Sequence, residues 1–380
     1  MGFKRHKKTF NPNRPDRGHE PDKVLIATIF TILILGLICL SSVSAVVSYS
    51  KFGDAYYYFK KQIFGAALGI LGFLYFANSN YHRWRKFALA FLGISIVLLI
   101  LVFIPGIAAN YGTSRSWINV FGYSLQPSEL VKLSFLLYLA AWIEARKDDL
   151  HDFYSGTGTF LAIFGIIAFL MLLQPDIGTL SIITSASLIM YFVGGGKLNH
   201  VLGIVLAGLL VLAILIPRSE YQLNRIKCVI DPSFSTDDKC YQINQSLIAV
   251  GSGGFWGRGL GESRQKFMYL PEVSGDSIFA IISEEMGMIF SSLLIGLFSF
   301  LFYRGFLIAQ KAQDDYGKLL AIGIVSWICI QAFINIGGII NIIPMTGVPL
   351  PLVSYGGSAI LAALSALGML VNISKHTKRE

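Results

Sequence analysis

The chain has few charged residues for its length. Asp, Glu, Lys and Arg make up 14% of its 380 residues, whereas hydrophobic residues make up 54%. A soluble domain carries roughly a quarter charged residues. The composition therefore excludes an ordinary soluble domain and favours an integral membrane protein.

Cysteine is also scarce. Four cysteines are too few for the disulfide framework of a small secreted domain. Cys39 and Cys329 lie in apolar runs, and we interpret them as packing residues. Cys228 and Cys240 share one polar loop, and their spacing alone leaves open whether a disulfide joins them.

Several catalytic signatures are absent. No Walker lysine follows the glycine-rich run 251–261, and neither H-E-x-x-H nor a C-x-x-C pair occurs. The stretch nearest to a G-x-S-x-G elbow, residues 251–253, lacks the strand–turn–helix setting that such a nucleophile needs. The six histidines are scattered without metal-ligand spacing. These absences exclude P-loop, zinc-protease and serine-hydrolase chemistry, and the sequence predicts no metal site.

What the chain has instead is a series of apolar runs bounded by charge, each sized to cross a hydrocarbon core of about 30 Å. We place spans at 24–47, 62–77, 87–108, 129–145, 158–174, 177–194, 199–217, 278–302, 318–340 and 353–373. The predicted fold class is an all-α integral membrane protein of about ten transmembrane helices.

Two connections differ from ordinary loops. Residues 218–275, between helices 7 and 8, form a large polar loop, which we predict to be extracytoplasmic, ordered and partly seated in the membrane. Residues 341–358, between helices 9 and 10, contain three prolines and three glycines but are too apolar for a free loop. Since irregular backbone at membrane depth must be buried or line a cavity, we predict a re-entrant segment there.

Charge placement predicts the orientation. The first 23 residues contain seven Lys or Arg and three Asp or Glu, and the predicted inner loops are richer in Lys and Arg than the outer ones. The positive-inside rule then puts both termini in the cytoplasm. We interpret 1–23 as a basic, disordered tail near anionic lipid, 24–373 as one polytopic domain and 374–380 as a second tail. The net charge of +9 therefore indicates contact with membrane lipids and not with nucleic acid.

Asp276 is the leading catalytic candidate. It lies where the large outer loop meets the eighth span, and a carboxylate in such a place can be tuned for proton transfer. The alternative is that Asp276 caps the following helix. Glu284 and Glu285 lie further into the span, where charge is costly and usually functional, although one of them can be a structural partner of a cation.

Other polar groups flank the remaining outer loops. Ser128 can cap the fourth helix, and Glu129 and Lys132 are spaced to pair on one helix face. Arg115 is either a surface charge or a phosphate ligand. The turn 174–179 (QPDIGT) is interpreted as a packing turn. The same choice between binding lipid phosphate and a solvated position applies to a group of loop residues: Arg225, Lys227, Arg264 and Lys266.

Four segments, in order, resemble the SEDS family of bacterial cell-wall proteins, which includes the division and rod-shape glycan polymerases. They are 115–133 (RSWINVFGYSLQPSELVKL), 174–179 (QPDIGT), 245–287 (QSLIAVGSGG…ISEEMG) and 341–358 (NIIPMTGVPLPLVSYGGS). The SRQK stretch and Asn335-Ile336-Gly337-Gly338 are closer to the division branch. The family usually has His-Thr-Asp-Phe where this chain has Ser274-Gly275-Asp276-Ser277, so the acid is retained without its usual neighbours.

The resemblance implies a bacterial cytoplasmic-membrane enzyme that transfers a growing, undecaprenyl-pyrophosphate-linked glycan onto lipid II. By motif, the essential acid falls on Asp276. Substrate-binding roles are expected for Arg115, Glu129, Lys132, Arg264 and Lys266, with a divalent cation as an alternative partner for the pyrophosphate. Supporting roles are expected for Glu284, Glu285 and Ser354.

The resemblance also implies a partner, a class B penicillin-binding protein, which is a single-span transpeptidase. Small residues favour helix packing in membranes, so the expected docking surface is span nine, with Gly323, Gly337 and Gly338, together with the segments beside the outer loop. Two rival functions stay open at this point. One is a flippase or transporter of lipid-linked precursors, and the other is a non-catalytic scaffold for the transpeptidase.

Overall fold

The structure, a computed structural model, describes residues 19–104, 108–111, 114–120, 123–236 and 238–378. Residues 1–18 of the expected disordered tail lie outside the described residues. Helices dominate the described residues. They are α1 (Lys23–Phe52), α2 (Tyr57–Asn78), α3 (Tyr81–Leu101), α4 (Pro127–Ala145), α5 (Thr159–Leu173), α6 (Ile177–Val193), α7 (Leu198–Leu215), α8 (Glu220–Ile230), α9 (Tyr241–Ser252), α10 (Ile278–Lys311), α11 (Asp315–Ile339) and α12 (Gly357–Ser374).

Each predicted apolar run overlaps one of these helices, and α8 and α9 lie inside the large loop. Seven helical stretches in the described part of the chain are long and apolar enough to cross a membrane, and α6 is a shorter apolar helix. The chain is therefore a multi-pass membrane protein.

The prediction of an all-α fold is wrong for the loop between α3 and α4. This loop carries a three-stranded antiparallel sheet in the order β1 (Ala108–Tyr111), β2 (Ser114–Val120), β3 (Tyr123–Leu125). Ile118 pairs with Ala108 on one side and with Leu125 on the other. The third predicted span is shorter than expected, because α3 ends at Leu101.

The centre of the bundle is formed by α11 and α12, most of whose residues are buried. Glycines let α12 approach α2 closely. A Cβ on Gly368 would lie 2.5 Å from the carbonyl oxygen of Phe73, and one on Gly69 would lie 2.7 Å from a methyl of Leu364. Such small-residue contacts are typical of helix packing in membranes. In contrast, α7 has no buried residue.

The glycines of span nine pack within the chain, so they are not free to contact a partner helix, and the expected docking surface stays a prediction. A Cβ on Gly323 would lie 2.4 Å from the sulfur of Met190, and Gly337 and Gly338 contact Ile343 and Met345. These glycines allow close packing inside the bundle.

The segment between α11 and α12 has no helix, and most of it is buried. Met345, Val348, Leu350, Leu352 and Val353 are each at most 4% exposed. Side chains satisfy part of its backbone: Ser354 Oγ accepts from the N–H of Leu350 at 2.8 Å. Irregular backbone enclosed by protein is the arrangement that the sequence predicted for this segment.

The turn 174–179 packs against this segment. A Cβ on Gly178 would lie 2.6 Å from Val348 and 3.0 Å from Thr346. Asp176 accepts the N–H of Thr179 at 3.1 Å and so caps α6. The packing interpretation of this turn is confirmed.

A break in α10 explains the glycine-rich run. Gly287 has φ +75° and ψ −178° inside the helix, which leaves backbone groups on both sides without helical partners. The run 251–261 pairs with four of them. The carbonyls of Glu284 and Glu285 accept from Arg258 and Gly259 at 3.0 and 2.9 Å, and the N–H groups of Met288 and Ile289 donate to Gly254 and Phe255 at 2.9 and 3.3 Å.

Candidate active site

Asp276 lies two residues before α10, at the junction of the loop and the bundle. Its backbone carbonyl accepts a 2.7 Å hydrogen bond from Nδ2 of Asn335 on α11. Its carboxyl Oδ1 accepts longer bonds, of 3.4 Å each, from Gln242 Nε2 on α9 and from the hydroxyl of Ser277. The N-cap of α10 is Ser277, and its side chain makes no capping hydrogen bond to the helix. The structure therefore disfavours the interpretation of Asp276 as a helix cap.

The surroundings of the carboxyl make it a stronger base than an exposed aspartate. Asp276 is half-buried, and this desolvation raises its pKa from 3.8 to about 6. Arg225 opposes the rise in pKa, and Glu272 adds to it. At neutral pH the group is mostly ionised yet still able to take a proton, as a general base requires.

Arg225, on α8, lies beside this carboxyl. One of its NH groups donates to the carbonyl of Met345 and the other to the hydroxyl of Tyr221, and the guanidinium lies 4.4 Å from the centre of the Tyr221 ring. A Cβ on Gly347 would be 3.6 Å from Asp276 Oδ2 and 3.9 Å from Arg225 NH2. Because Gly347 has no side chain, the space between the Asp276 carboxyl and the Arg225 guanidinium stays open.

A disulfide joins the two loop helices that contact this site. Cys228 on α8 and Cys240, just before α9, are bonded, with 5.5 Å between their Cα atoms, and both are fully buried. Asn341 Nδ2 donates to the carbonyl of Cys228 at 3.3 Å. The large loop is thus ordered around the site, as predicted.

The predicted pair between Glu129 and Lys132 is confirmed. Lys132 Nζ lies 2.7 Å from Glu129 Oε1, and each side chain is 1% exposed. Lys132 also donates to Gln331 Oε1 at 2.7 Å and lies 5.0 Å from the ring of Trp327. The pair is part of a buried polar network between α4 and α11.

Gln331 and Asn335 connect this network to Asp276. They lie one turn apart on α11 and donate to consecutive carbonyls of the irregular segment, those of Pro349 and Val348, at 2.8 Å each. The same Nδ2 of Asn335 holds Asp276. The sequence reasoning assigned neither residue a role, because amides inside an apolar helix carry no local signal of their partners.

Glu284 and Glu285 anchor the glycine-rich side of the loop. Glu284 accepts from Ser263 Oγ at 2.5 Å and from the backbone N–H of Arg264 at 3.0 Å. Glu285 pairs with Lys266 at 2.8 Å, and both side chains are at most 5% exposed. Glu284 Oε1 also lies 3.7 Å from Arg258 Nε, so each glutamate has a cationic partner, whereas the sequence predicted a structural partner for only one of them.

The remaining predicted residues are not brought to Asp276 by the described contacts. Arg264 is exposed, and Ser354 is buried, with its hydroxyl on the backbone of the irregular segment. The side chain of Arg115, in β2, lies outside what the structure describes. Substrate binding by Arg115, Glu129, Lys132, Arg264 and Lys266 stays a prediction. Gln242 joins the site although the sequence reasoning gave it no role, since its contact with Asp276 spans 34 residues of chain.

These features define a class of protein: a multi-pass helical membrane protein with a half-buried carboxylate where a large ordered loop meets the bundle. Residues 22–379 match the family FtsW/RodA/SpoVE, described as cell cycle protein. The chain belongs to this family.

Named relatives cover nearly the whole chain. Stage V sporulation protein E of Bacillus subtilis is 40% identical over 361 residues, covering 94% of this chain and 98% of the relative. The probable peptidoglycan glycosyltransferase FtsW of Trichlorobacter lovleyi is 36% identical over 365 residues, covering 96% of each.

Solved structures share the fold. A chain from a study of how a peptidoglycan synthase complex coordinates polymerization and crosslinking superposes with a TM-score of 0.77 at 25% identity, covering 93% of this chain and 97% of that chain. The crystal structure of the Thermus thermophilus rod shape determining protein RodA gives a TM-score of 0.69 at 23% identity, covering 95% of this chain and 98% of that chain.

Proposed function

We propose that this chain is a peptidoglycan glycosyltransferase that polymerises lipid II into glycan strands at the outer face of the cytoplasmic membrane. Family membership and relatives named as probable peptidoglycan glycosyltransferases support the reaction class. The observation that carries the proposal is Asp276, a half-buried carboxyl with a pKa of about 6. It lies between an arginine and a glutamine on the large loop.

The chemistry follows from that carboxyl. The 4-hydroxyl of the acceptor sugar attacks the anomeric carbon of the lipid-linked donor, and Asp276 takes the hydroxyl proton. A new glycosidic C–O bond forms while the bond from the anomeric carbon to the diphosphate oxygen breaks. Undecaprenyl diphosphate leaves with that electron pair. General-base catalysis of this kind contributes typically about 10²–10⁴-fold.

The proposed topology has about ten crossings, with both termini in the cytoplasm and residues 218–275 outside. Support comes from the ten helices that overlap the predicted runs and from the excess of Lys and Arg on the predicted inner loops. Lipid tails would reach the site sideways between helices, and α7, which has no buried residue, leads into the loop.

A divalent cation would help the diphosphate to leave by neutralising its charge. Among the described residues, no group of three or more His, Cys, Asp or Glu side chains is arranged to hold a metal ion. The residues around Asp276 do not form such a site, so no step is assigned to a metal.

The proposed partner is a class B penicillin-binding protein. One structural neighbour comes from a study of polymerization and crosslinking by a peptidoglycan synthase complex, which supports an assembly of polymerase and transpeptidase. Whether this chain works in division, elongation or sporulation depends on that partner. The relatives named FtsW and stage V sporulation protein E favour the first and the last.

The decisive experiment uses purified protein and fluorescent lipid II, with and without a class B penicillin-binding protein. Asp276→Asn keeps the size of the side chain and removes the basic oxygen, so polymer length and yield should fall at least about 100-fold. Glu262→Gln, an exposed acid in the same loop, is the matched control and should keep normal activity.

A polymerising Asp276→Asn variant would refute the assignment of the base. A wild-type protein that moves lipid II across vesicles without polymerising it would identify a flippase. One that does neither but binds the transpeptidase would identify a scaffold.

A further inference from the structure

The cations expected to bind the substrate's diphosphate are largely committed elsewhere. Lys132 is held by Glu129, and Lys266 by Glu285, at 2.7 and 2.8 Å. All four of these side chains are buried. An ammonium already paired with a carboxylate inside the bundle has little charge left for a ligand.

Arg225 differs from them in both respects. It is half-buried and lies next to Asp276, and its described hydrogen bonds go to neutral oxygens, the Met345 carbonyl and the Tyr221 hydroxyl. Within the described ranges no carboxylate oxygen lies within 4.0 Å of its guanidinium nitrogens. A partly desolvated guanidinium with no carboxylate in direct contact is suited to an incoming anion.

The position of Arg225 is fixed by two groups on the large loop. Tyr221, one turn earlier on α8, stacks under the guanidinium at 4.4 Å. Three residues later on the same helix, Cys228 is bonded to Cys240, which directly precedes the helix that carries Gln242. The disulfide thus links the helix of Arg225 to the helix whose glutamine contacts Asp276.

We propose that Arg225 binds the diphosphate of the lipid-linked donor, with Tyr221 and the Cys228–Cys240 disulfide as its positioning groups. The planar guanidinium can bind two phosphate oxygens at once. Its place beside the general base puts positive charge where the leaving group gains negative charge. This inference rests on the proposed function and adds to it the residue that recognises the leaving group.

The first test measures binding in the catalytically silent Asp276→Asn background, with undecaprenyl diphosphate and undecaprenol as probes. Arg225→Gln should weaken binding of the diphosphate about 10- to 100-fold, the range of a charge-assisted hydrogen bond, and leave undecaprenol binding unchanged. Arg225→Lys, which keeps the charge and loses the planar fork, should give an intermediate loss.

The matched control is Lys227→Gln. Lys227 lies on the same helix, is exposed, and contacts the Phe234 ring at 5.0 Å. Its neutralisation should leave the affinity for both probes unchanged. The proposal would be overturned if the Arg225→Gln and Lys227→Gln proteins bound the diphosphate equally well, whether both kept the original affinity or both lost it.

A second test uses steady-state kinetics in the Asp276 protein. Arg225→Lys and Tyr221→Phe should raise the KM for the lipid-linked donor glycan more than they lower kcat, and thermal melting of each variant checks folding. A loss confined to kcat, or a loss that follows melting temperature, would contradict diphosphate recognition.

The failure of this inference is separable from failure of the proposed function. Arg225-dependent diphosphate binding by a wild-type chain that never polymerises lipid II would refute the glycosyltransferase and leave the binding residue standing. Polymerisation that survives Arg225→Gln with an unchanged KM would refute the role of Arg225 and leave the glycosyltransferase standing.

Discussion

Asn335 donates a 2.7 Å hydrogen bond to the backbone carbonyl of Asp276. The same nitrogen donates to the carbonyl of Val348 at 2.8 Å, and the side chain is 5% exposed. One amide on α11 therefore fixes the proposed catalytic junction against the irregular segment. We regard Asn335 as a positioning residue that acts through Asp276.

Replacing Asn335 with Ala should lower kcat at least about tenfold and leave the KM for lipid II within about twofold, because losing two buried hydrogen bonds costs about 2–3 kcal/mol and frees the peptide of Asp276. The measurement is steady-state polymerisation normalised to folded protein.

Asn372 provides a matched control for this experiment. Its amide bridges α12 to the end of α2 and the start of α3, by bonds of 2.9 Å to the carbonyl of Ala77 and 3.0 Å from the N–H of Tyr81. Asn372→Ala should lower the melting temperature in a similar way without changing kcat. If both variants lost stability and kcat in the same proportion, Asn335 would have only a stabilising role.

The pH dependence of kcat/KM should have its acid limb near pH 6. The carboxyl must be ionised to act as base, and burial raises the pKa of Asp276 to about 6, so activity should fall as the pH drops through that value. An exposed aspartate would keep its activity down to about pH 4.

Two neighbours should move this limb in opposite directions. Arg225 lowers the pKa of Asp276 and Glu272 raises it, so Arg225→Gln should shift the limb upwards and Glu272→Gln downwards. Profiles of kcat/KM, taken at lipid II concentrations well below KM, are the measurement. Two shifts of the same sign would show that another group controls the limb.

The pair between Glu129 and Lys132 should respond to single and double changes differently. Glu129→Gln or Lys132→Met alone leaves a buried charge without its partner, which costs about 3–5 kcal/mol. The double variant removes both charges and should recover protein yield and much of the activity, because the pair is 1% exposed and acts in the network.

Yield after purification and polymerisation per folded molecule separate the two roles of this pair. Recovery of yield without any activity would assign Glu129 and Lys132 directly to the substrate, as the resemblance implies. Recovery of both would exclude a direct catalytic role.

Gly287→Ala should be strongly destabilising. Its φ of +75° is unfavourable for alanine, and a Cβ there would lie 2.3 Å from the backbone nitrogen of Gly257. Gly296, on the same helix, has nothing within 4 Å of such a Cβ, so Gly296→Ala is the control and should be neutral or slightly stabilising. Thermal melting in detergent compares them, and equal melting temperatures would contradict the packing of the glycine-rich run against α10.

Local patterns in the sequence predict much of the bundle. Apolar runs indicate the helices, and the three-residue spacing of Glu129 and Lys132 predicts a pair on one face of α4. The proline- and glycine-rich segment after α11 predicts irregular, enclosed backbone. Each of these signals lies within about twenty residues of chain.

The features that escaped prediction depend on contacts between distant segments. Asn335 reaches Asp276 across 59 residues, and the glycine-rich run matches a break at Gly287 that no local composition marks. The sheet at 108–125 was missed because its first residues continue an apolar run. Pairing partners of this kind are set by the folded arrangement and are not encoded in any one segment.

The disulfide between Cys228 and Cys240 can report the orientation in which the chain was inserted into the membrane. Disulfides persist in oxidising compartments and are reduced in the cytosol, so in the proposed topology, with residues 218–275 outside, this bond survives only in molecules whose large loop has crossed the membrane. A molecule inserted upside down would keep two free thiols at the same positions. Thiol alkylation of the denatured protein, read as a mass shift, would thus count correctly and incorrectly inserted copies in one sample.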